Sequence, residues 1–220
     1  MVIFDRTELL PGMILHTRSH ELYGIAIRSL LHSWGNHDAI LIRSPSVNTA
    51  WYVGESIWPR ARMVPLVEYE AYLNSTGREC RVYWPTKATV AAGMAAGLWW
   101  EQNVKGTWYD VRGVAWLAIK LSLTQIGMGR VAPRIRQWEW ANWCTEGVER
   151  AWQIGAGRHV LLNEHPTPLT VEKRESEGVV ENLSEFAIVG RYRRGGVSGQ
   201  GAGGDRQPQG QMGHVSGGSA

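Results

Sequence analysis

A cysteine stands where a helical pattern begins, and this feature restricts the fold of the chain more than any other. The segment Trp-Glu-Trp-Ala-Asn-Trp-Cys-Thr-Glu-Gly-Val-Glu-Arg-Ala-Trp covers residues 138–152, and its apolar residues recur at near-helical spacing from Trp143 onward. Cys144 therefore falls in the first turn of a predicted helix. Unpaired backbone N–H groups and the positive end of the helix dipole favour a thiolate at this position. The residue is either a nucleophile or a small buried hydrophobic side chain.

Length and composition indicate one soluble, globular domain. The chain has 220 residues, of which 44% are hydrophobic and 20% are charged, enough to bury a core. The formal net charge is +3, and no run of five or six basic residues occurs, so we do not expect a nucleic-acid partner. The longest apolar stretch, 111–126, is interrupted by Arg112 and Lys120, so no membrane span is predicted.

The ends of the chain and its cysteines bear on localisation. The first residues, Met-Val-Ile-Phe-Asp-Arg-Thr-Glu, lack the features of a signal peptide, so we expect synthesis in the cytoplasm. Release by lysis or within a virus particle stays open. Cys80 and Cys144 allow one disulfide, but nothing else indicates a disulfide scaffold. From Gly195 onward the chain is rich in Gly, Gln and Ser, which predicts a domain over 1–194 and a flexible tail over 195–220.

Alternating strand and helix signals predict an α+β fold, a small antiparallel sheet with helices to one side. The predicted strands are Met13–Thr17, His37–Arg43, Thr49–Trp58, Cys80–Trp84 and Phe186–Tyr192. The predicted helices are His20–Leu31, Val67–Leu73, a helix capped by Thr86 and continuing to about Val104, Tyr109 to about Gly127, and the cysteine helix to about Gly155. Arg130–Arg136 reads as a basic loop and Pro166–Pro168 as an irregular segment beside a short helix.

A nucleophilic thiol requires a base, and histidine has a pKa near neutrality. The chain has seven candidates: His16, His20, His32, His37, His159, His165 and His214. His37 differs from the others because it opens a predicted buried strand directly after the turn Gly35-Asn36. The end of a strand holds a side chain rigidly, so an imidazole there can face a helix N-terminus.

The base in turn requires an acceptor for its second ring nitrogen. Glu55 lies in the next predicted strand, between Val53 and Ile57, and antiparallel pairing brings that strand beside His37. A glutamate in an otherwise apolar strand requires a partner unless it faces solvent. Cys144, His37 and Glu55 together therefore form a candidate catalytic set.

Five short motifs follow one another in a recognisable order. They are Pro-Gly-Met-Ile-Leu (11–15), Trp-Gly-Asn-His-Asp-Ala-Ile-Leu-Ile (34–42), Val-Gly-Glu-Ser-Ile-Trp (53–58), Tyr-Asp (109–110) and Asn-Trp-Cys-Thr-Glu-Gly-Val (142–148). Their order resembles that of the circularly permuted NlpC/P60 (papain-like) group, which includes YiiX/YaeF-like and lecithin:retinol acyltransferase-like proteins. The chain departs from the group at Met13, where an aspartate is usual, and at Gly147, where an apolar residue is usual.

The resemblance implies a papain-like fold and a thiol hydrolase without a cofactor. It implies that Cys144 is the nucleophile, His37 the base and Glu55 the third polar residue, with Trp34, Tyr109 and Trp143 along the substrate groove. The implied substrates are peptidoglycan stem peptides or, in the acyltransferase branch, acyl esters and amides. A non-enzymatic papain-like module, for example in a virion, is the competing interpretation.

A metal site formed by His16, His20 and Glu21 is a weaker alternative. A helix would bring two histidines at this spacing together. Pro11-Gly12 and the strand-like Met13–Thr17 oppose a helix at this place.

Overall fold

The computed structural model describes residues 1–44, 50–125, 127–128, 141–161 and 166–189. The predicted basic loop and the Gly-rich tail lie outside the described residues, and so does the predicted domain end near Arg194. None of the helices in the described ranges is long and apolar enough to cross a membrane.

Six strands form one antiparallel sheet, in the order β5-β4-β3-β2-β6-β9. These strands are β2 (Ile14–Arg18), β3 (His37–Arg43), β4 (Trp51–Glu55), β5 (Arg62–Pro65), β6 (Glu79–Pro85) and β9 (Val180–Asn182). Two short pairs lie apart from it: β1 (Ile3–Phe4) with β10 (Ile188–Val189), and β7 (Trp108–Tyr109) with β8 (Ala141–Asn142). The predicted α+β class and its antiparallel sheet are confirmed.

Seven α-helices accompany the sheet within the described residues. They are α1 (Leu22–Leu31), α2 (Leu66–Ser75), α3 (Val90–Asn103), α4 (Val111–Gln125), α5 (Cys144–Arg150), α6 (Pro168–Ser176) and α7 (Ser184–Ala187). Helix α5 continues directly into a π-helical segment, Ala151–Gly155. The predicted cysteine helix therefore begins at Cys144 and ends at Gly155, as the apolar spacing indicated.

Helices cover both faces of the sheet, so the expectation of helices on one side is wrong. A Cβ at Gly54 would meet the Trp100 ring at 2.7 Å, so α3 packs against the face on which Gly54 lies. Tyr69 of α2 is buried beside Glu55, the residue next to Gly54. Because successive strand residues point to opposite faces, α2 covers the other side.

Three element boundaries differ from prediction. Thr86 does not cap α3, because its backbone N–H bonds to Val179 at the sheet edge; Thr89 is the cap and accepts from the Ala92 N–H. The predicted strand Thr49–Trp58 ends at Glu55, and the following β5 was not predicted. In the predicted strand Phe186–Tyr192, the first two residues belong to helix α7 and Ile188–Val189 form β10. The remaining residues lie outside the described part of the chain.

Two glycines allow α3 to approach the start of β2. A Cβ at Gly93 would lie 1.9 Å from the Pro11 carbonyl oxygen and 2.8 Å from the Trp84 ring. Gly12 (φ +89°) faces Gly93 across this contact. A Cβ at Gly97, one turn further along α3, would lie 3.6 Å from Ile42, which is an ordinary van der Waals distance.

Two alanine substitutions on α3 test this contact. We expect Gly93→Ala to lower the free energy of unfolding by more than about 2 kcal/mol, because backbone must move to admit the methyl group. Gly97→Ala is the matched control, and we expect it to be neutral or stabilising by up to about 1 kcal/mol. Urea unfolding measures both. Equal effects of the two substitutions would contradict the close approach at Gly93.

Candidate active site

Cys144 is the first residue of α5, with Trp143 as an extended N-cap residue. The preceding strand β8 pairs in parallel with β7, and this pairing directs the chain into the helix. The first helical hydrogen bond runs from the Gly147 N–H to the Trp143 carbonyl. Cys144 is buried at 7% exposure, as Cys80 is, so exposure does not distinguish the two cysteines and their neighbours do.

His37 is the first residue of β3, and its side chain is 12% exposed. Its Nε2 lies 3.2 Å from Glu55 Oε2. Burial lowers the pKa of His37, but hydrogen bonds with Cys144 and Glu55 and the attraction of both groups outweigh this and raise the pKa to about 10. Since Nε2 faces Glu55, Nδ1 is the ring nitrogen left for the thiol. His37 therefore links Cys144 to Glu55.

Glu55 ends β4 and is 2% exposed. Register pairs it with Arg62 of β5, whose Nε donates to Glu55 Oε1 at 2.8 Å. Burial raises the pKa of Glu55, but the hydrogen bond and charge of His37, together with Arg62, lower it below its usual value. A buried carboxylate is thus held ionised between two cations. The structure brings Cys144, His37 and Glu55 together, and Arg62 is an addition that sequence reasoning missed.

The three predicted groove residues occupy different places. Tyr109 lies near Cys144: burial raises the pKa of its phenol, and the charges of Cys144 and Asp110 raise it further, so its O–H stays a donor. Trp143 is 2% exposed and donates to the Pro166 carbonyl at 2.8 Å, so it is core rather than groove surface. Trp34 packs 5.5 Å from the His16 ring and under Arg81.

A second buried network, which sequence reasoning missed, lies beside the first. His16 Nδ1 is 2.6 Å from Asp38 Oδ1, and its Nε2 is 3.3 Å from Glu172 Oε1. Asp38 Oδ2 accepts from the Thr145 hydroxyl, one residue after Cys144. The pairing of β2 with β3, which places His16 opposite Asp38, was the signal from which the contact between these two residues could have been predicted. Glu172 on α6 gave none, because its contacts depend on a distant helix.

The metal alternative does not fit the strand geometry. His16 is fully buried on β2, whereas His20 is exposed and lies 3.2 Å from Glu79. Among the residues that the structure describes, no group of three or more His, Cys, Asp or Glu is placed to hold a metal ion. The two histidines therefore belong to separate environments.

Comparison with known proteins gives a distant likeness in structure. No protein-family model matches the chain, and a search of curated proteins gives no significant match. A solved structure of the metalloprotein yiiX from Escherichia coli O157:H7 is similar with a TM-score of 0.49 and 18% sequence identity, over 77% of this chain and 84% of that one. The chemistry of the site therefore rests on its own geometry.

The His16 network predicts a loss of stability at alkaline pH. Burial lowers the pKa of His16, but Asp38 and Glu172 outweigh it and raise the pKa from 6.5 to about 9. The folded protein then binds the proton more tightly than the unfolded chain, so this stabilisation is present below pH 6.5 and is lost as pH rises through about 9. The free energy of unfolding in urea, compared at pH 6.5 and at about pH 9, measures this loss of stability.

His16→Gln should reduce this pH dependence by at least about 1 kcal/mol, the free energy of roughly one pKa unit. His20→Gln is the control, because its exposed ring lies outside the network. We expect the control to keep the wild-type slope. Equal slopes for wild type and His16→Gln would contradict a charged, buried His16.

Proposed function

We propose that the chain is a thiol hydrolase that cleaves acyl bonds through Cys144, His37 and Glu55. The observation that carries the proposal is the position of His37, which interacts with the Cys144 thiol on one side and with the Glu55 carboxylate on the other. This is the arrangement that nucleophilic catalysis needs: a nucleophile, a proton carrier and a group that orients the carrier.

Catalysis requires a thiolate at Cys144, and the imidazolium of His37, whose pKa is raised to about 10, is the cation beside it. Cys144 Sγ attacks the acyl carbon, and the carbonyl oxygen becomes an oxyanion. As the carbon–leaving-group bond breaks, His37 gives its proton to the leaving group, and a thioester remains. Neutral His37 then takes a proton from water, the hydroxide adds to the thioester, and its collapse releases the acid and the thiolate.

The start of α5 and Tyr109 supply the donors for the oxyanion. Backbone N–H groups in the first turn of α5 have no acceptor within the helix, and they point past its N-terminus. The neutral Tyr109 phenol near Cys144 is a second donor. Glu55, itself held by Arg62, keeps the His37 ring in one orientation.

An amide of the peptidoglycan stem peptide is the first substrate we propose, on the motifs shared with the NlpC/P60 group. A lipid or other acyl ester or amide is the second, and a structural observation favours it. Helices α1 and α4 contact each other beside Tyr109 and carry exposed apolar side chains: Leu22, Tyr23, Ile25, Val111, Trp116 and Ile119. Such side chains suit an apolar acyl chain.

Iodoacetamide labelling tests the nucleophile. At pH 7 we expect Cys144 to be alkylated at least about tenfold faster than Cys80, because His37 favours its thiolate whereas burial raises the pKa of the Cys80 thiol. Peptide mapping by mass spectrometry assigns the label. Cys144→Ala should remove the fast phase, and Cys80→Ala should leave it unchanged. Equal rates at the two cysteines would favour the non-enzymatic module.

Glu55→Gln tests the orienting carboxylate. The amide keeps the shape but loses the charge that holds protonated His37, so we expect the pH at which Cys144 labelling is half-maximal to rise. The expected rate at pH 6 is about tenfold lower, or roughly 1.4 kcal/mol. Glu68→Gln on α2, outside the contacts of the site, is the control. An unchanged pH profile for Glu55→Gln would remove Glu55 from the mechanism.

Substrate assays separate the two candidates. We expect release of stem-peptide fragments from purified peptidoglycan if the first substrate is correct, and hydrolysis of long-chain p-nitrophenyl esters in preference to acetate esters if the second is correct. Either activity should fall at least about 1,000-fold in Cys144→Ala. Activity that survives in Cys144→Ala would contradict the proposed nucleophile.

A further inference from the structure

The hydroxyl of Thr145 lies between the thiol and a buried carboxylate. Thr145 Oγ1 donates its hydrogen bond to Asp38 Oδ2 and stands 3.7 Å from Cys144 Sγ. A hydroxyl has one proton, so donation to Asp38 leaves only lone pairs on the side of the sulfur. The hydroxyl therefore does not donate to a thiolate at Cys144, and Thr145 acts on that thiolate through the position of the helix start relative to His37.

Asp38 is a fixed anchor for this hydroxyl. Asp38, His16 and Thr145 are all at most 1% exposed. His16 holds the other Asp38 oxygen at 2.6 Å and continues to Glu172, which accepts from the Trp34 N–H at 2.7 Å. Four elements, β2, β3, α5 and α6, thus meet in one hydrogen-bonded network. A buried, satisfied network of this kind strongly resists displacement of its members.

Two adjacent strand residues face two adjacent helix residues. His37 and Asp38 open β3, and Cys144 and Thr145 open α5. His37 interacts with Cys144, and Asp38 accepts from Thr145. The second contact fixes the first turn of the helix against the strand that carries the imidazole.

We infer that Thr145 is a positioning residue, which with Asp38 and His16 holds Cys144 in register with His37. The inference rests on the proposed function, because it assigns a role toward a nucleophilic Cys144. Without the Thr145 hydroxyl, the first turn of α5 is free to shift, the thiol loses its alignment with His37, and the thiolate loses its stabilising cation.

Iodoacetamide alkylation of Cys144 between pH 5 and 9 tests the inference on the full chain. Thr145→Val removes the hydroxyl at nearly constant volume, and Thr145→Ser keeps it. We expect Thr145→Val to move the pH midpoint upward by at least about one unit, with alkylation about tenfold slower at pH 6 and little changed at pH 9. Thr145→Ser should stay within about twofold of wild type.

Ser184→Ala is the matched control. Ser184 is another buried hydroxyl that donates a hydrogen bond to Asn182 and accepts one from the Val82 N–H. It lies on α7, which contacts β6, whereas the thiol lies on α5, which contacts β3. We expect its loss to lower the melting temperature without moving the alkylation profile. The control separates positioning from stability. If Thr145 contributed to stability alone, its loss would lower the melting temperature and leave the alkylation profile unchanged, as we expect for Ser184. If Thr145→Val does not fold, Thr145→Ala removes the same hydroxyl without a methyl group against Asp38.

The outcomes separate this inference from the proposed function. If wild-type Cys144 is fast and Thr145→Val or Thr145→Ala keeps the wild-type profile, the positioning role is overturned while the nucleophile stands. If Thr145→Ser shifts as far as Thr145→Val, the hydroxyl is not the cause and the inference also fails. If wild-type Cys144 reacts no faster than Cys80, the proposed function fails and the positioning role fails with it.

Discussion

The contact between the start of β3 and the start of α5 is the interaction on which the site depends. The first residues of these two elements are not fixed by their own element alone. A helix N-terminus has unpaired N–H groups, and the first residue of a strand is preceded by residues outside the strand. Each is fixed by what surrounds it. Parallel pairing of β7 with β8 directs the chain into α5, and the hydrogen bonds of His16 and Glu172 fix Asp38.

Charge balance explains why Glu55 and Asp38 each have a cationic group beside them. A buried carboxylate without a partner is strongly destabilising. Glu55 is held by His37 and Arg62, and Asp38 is held by His16. The partners come from paired or neighbouring strands, so the antiparallel register that builds the sheet also delivers the counter-charges. The register of the sheet thus determines the electrostatic matching of these side chains.

Sequence reasoning found what local pattern specifies and missed what distant contacts specify. Apolar spacing predicted a helix at Cys144, and a short apolar run after a turn predicted a buried strand at His37, because both signals lie within a few residues. Arg62 was missed because β5 is short and was not predicted, and Glu172 was missed because only tertiary packing brings α6 to His16. The local sequence predicts a helix cap at Thr86, because the role of this residue at the sheet edge depends on Val179, far along the chain.

The choice of base among the histidines also needs the structure, because pKa alone does not separate two of them. Burial lowers the pKa of both His16 and His37. Asp38 and Glu172 raise the pKa of His16 above neutrality, and Cys144 and Glu55 do the same for His37. What differs is the second ring nitrogen. In His16 it faces Glu172, and the ring is fully buried, so a proton there has no route to a substrate. In His37 the remaining nitrogen faces the thiol, and the side chain is partly exposed. A proton carrier requires both an available nitrogen and access, and of these two histidines His37 alone has them.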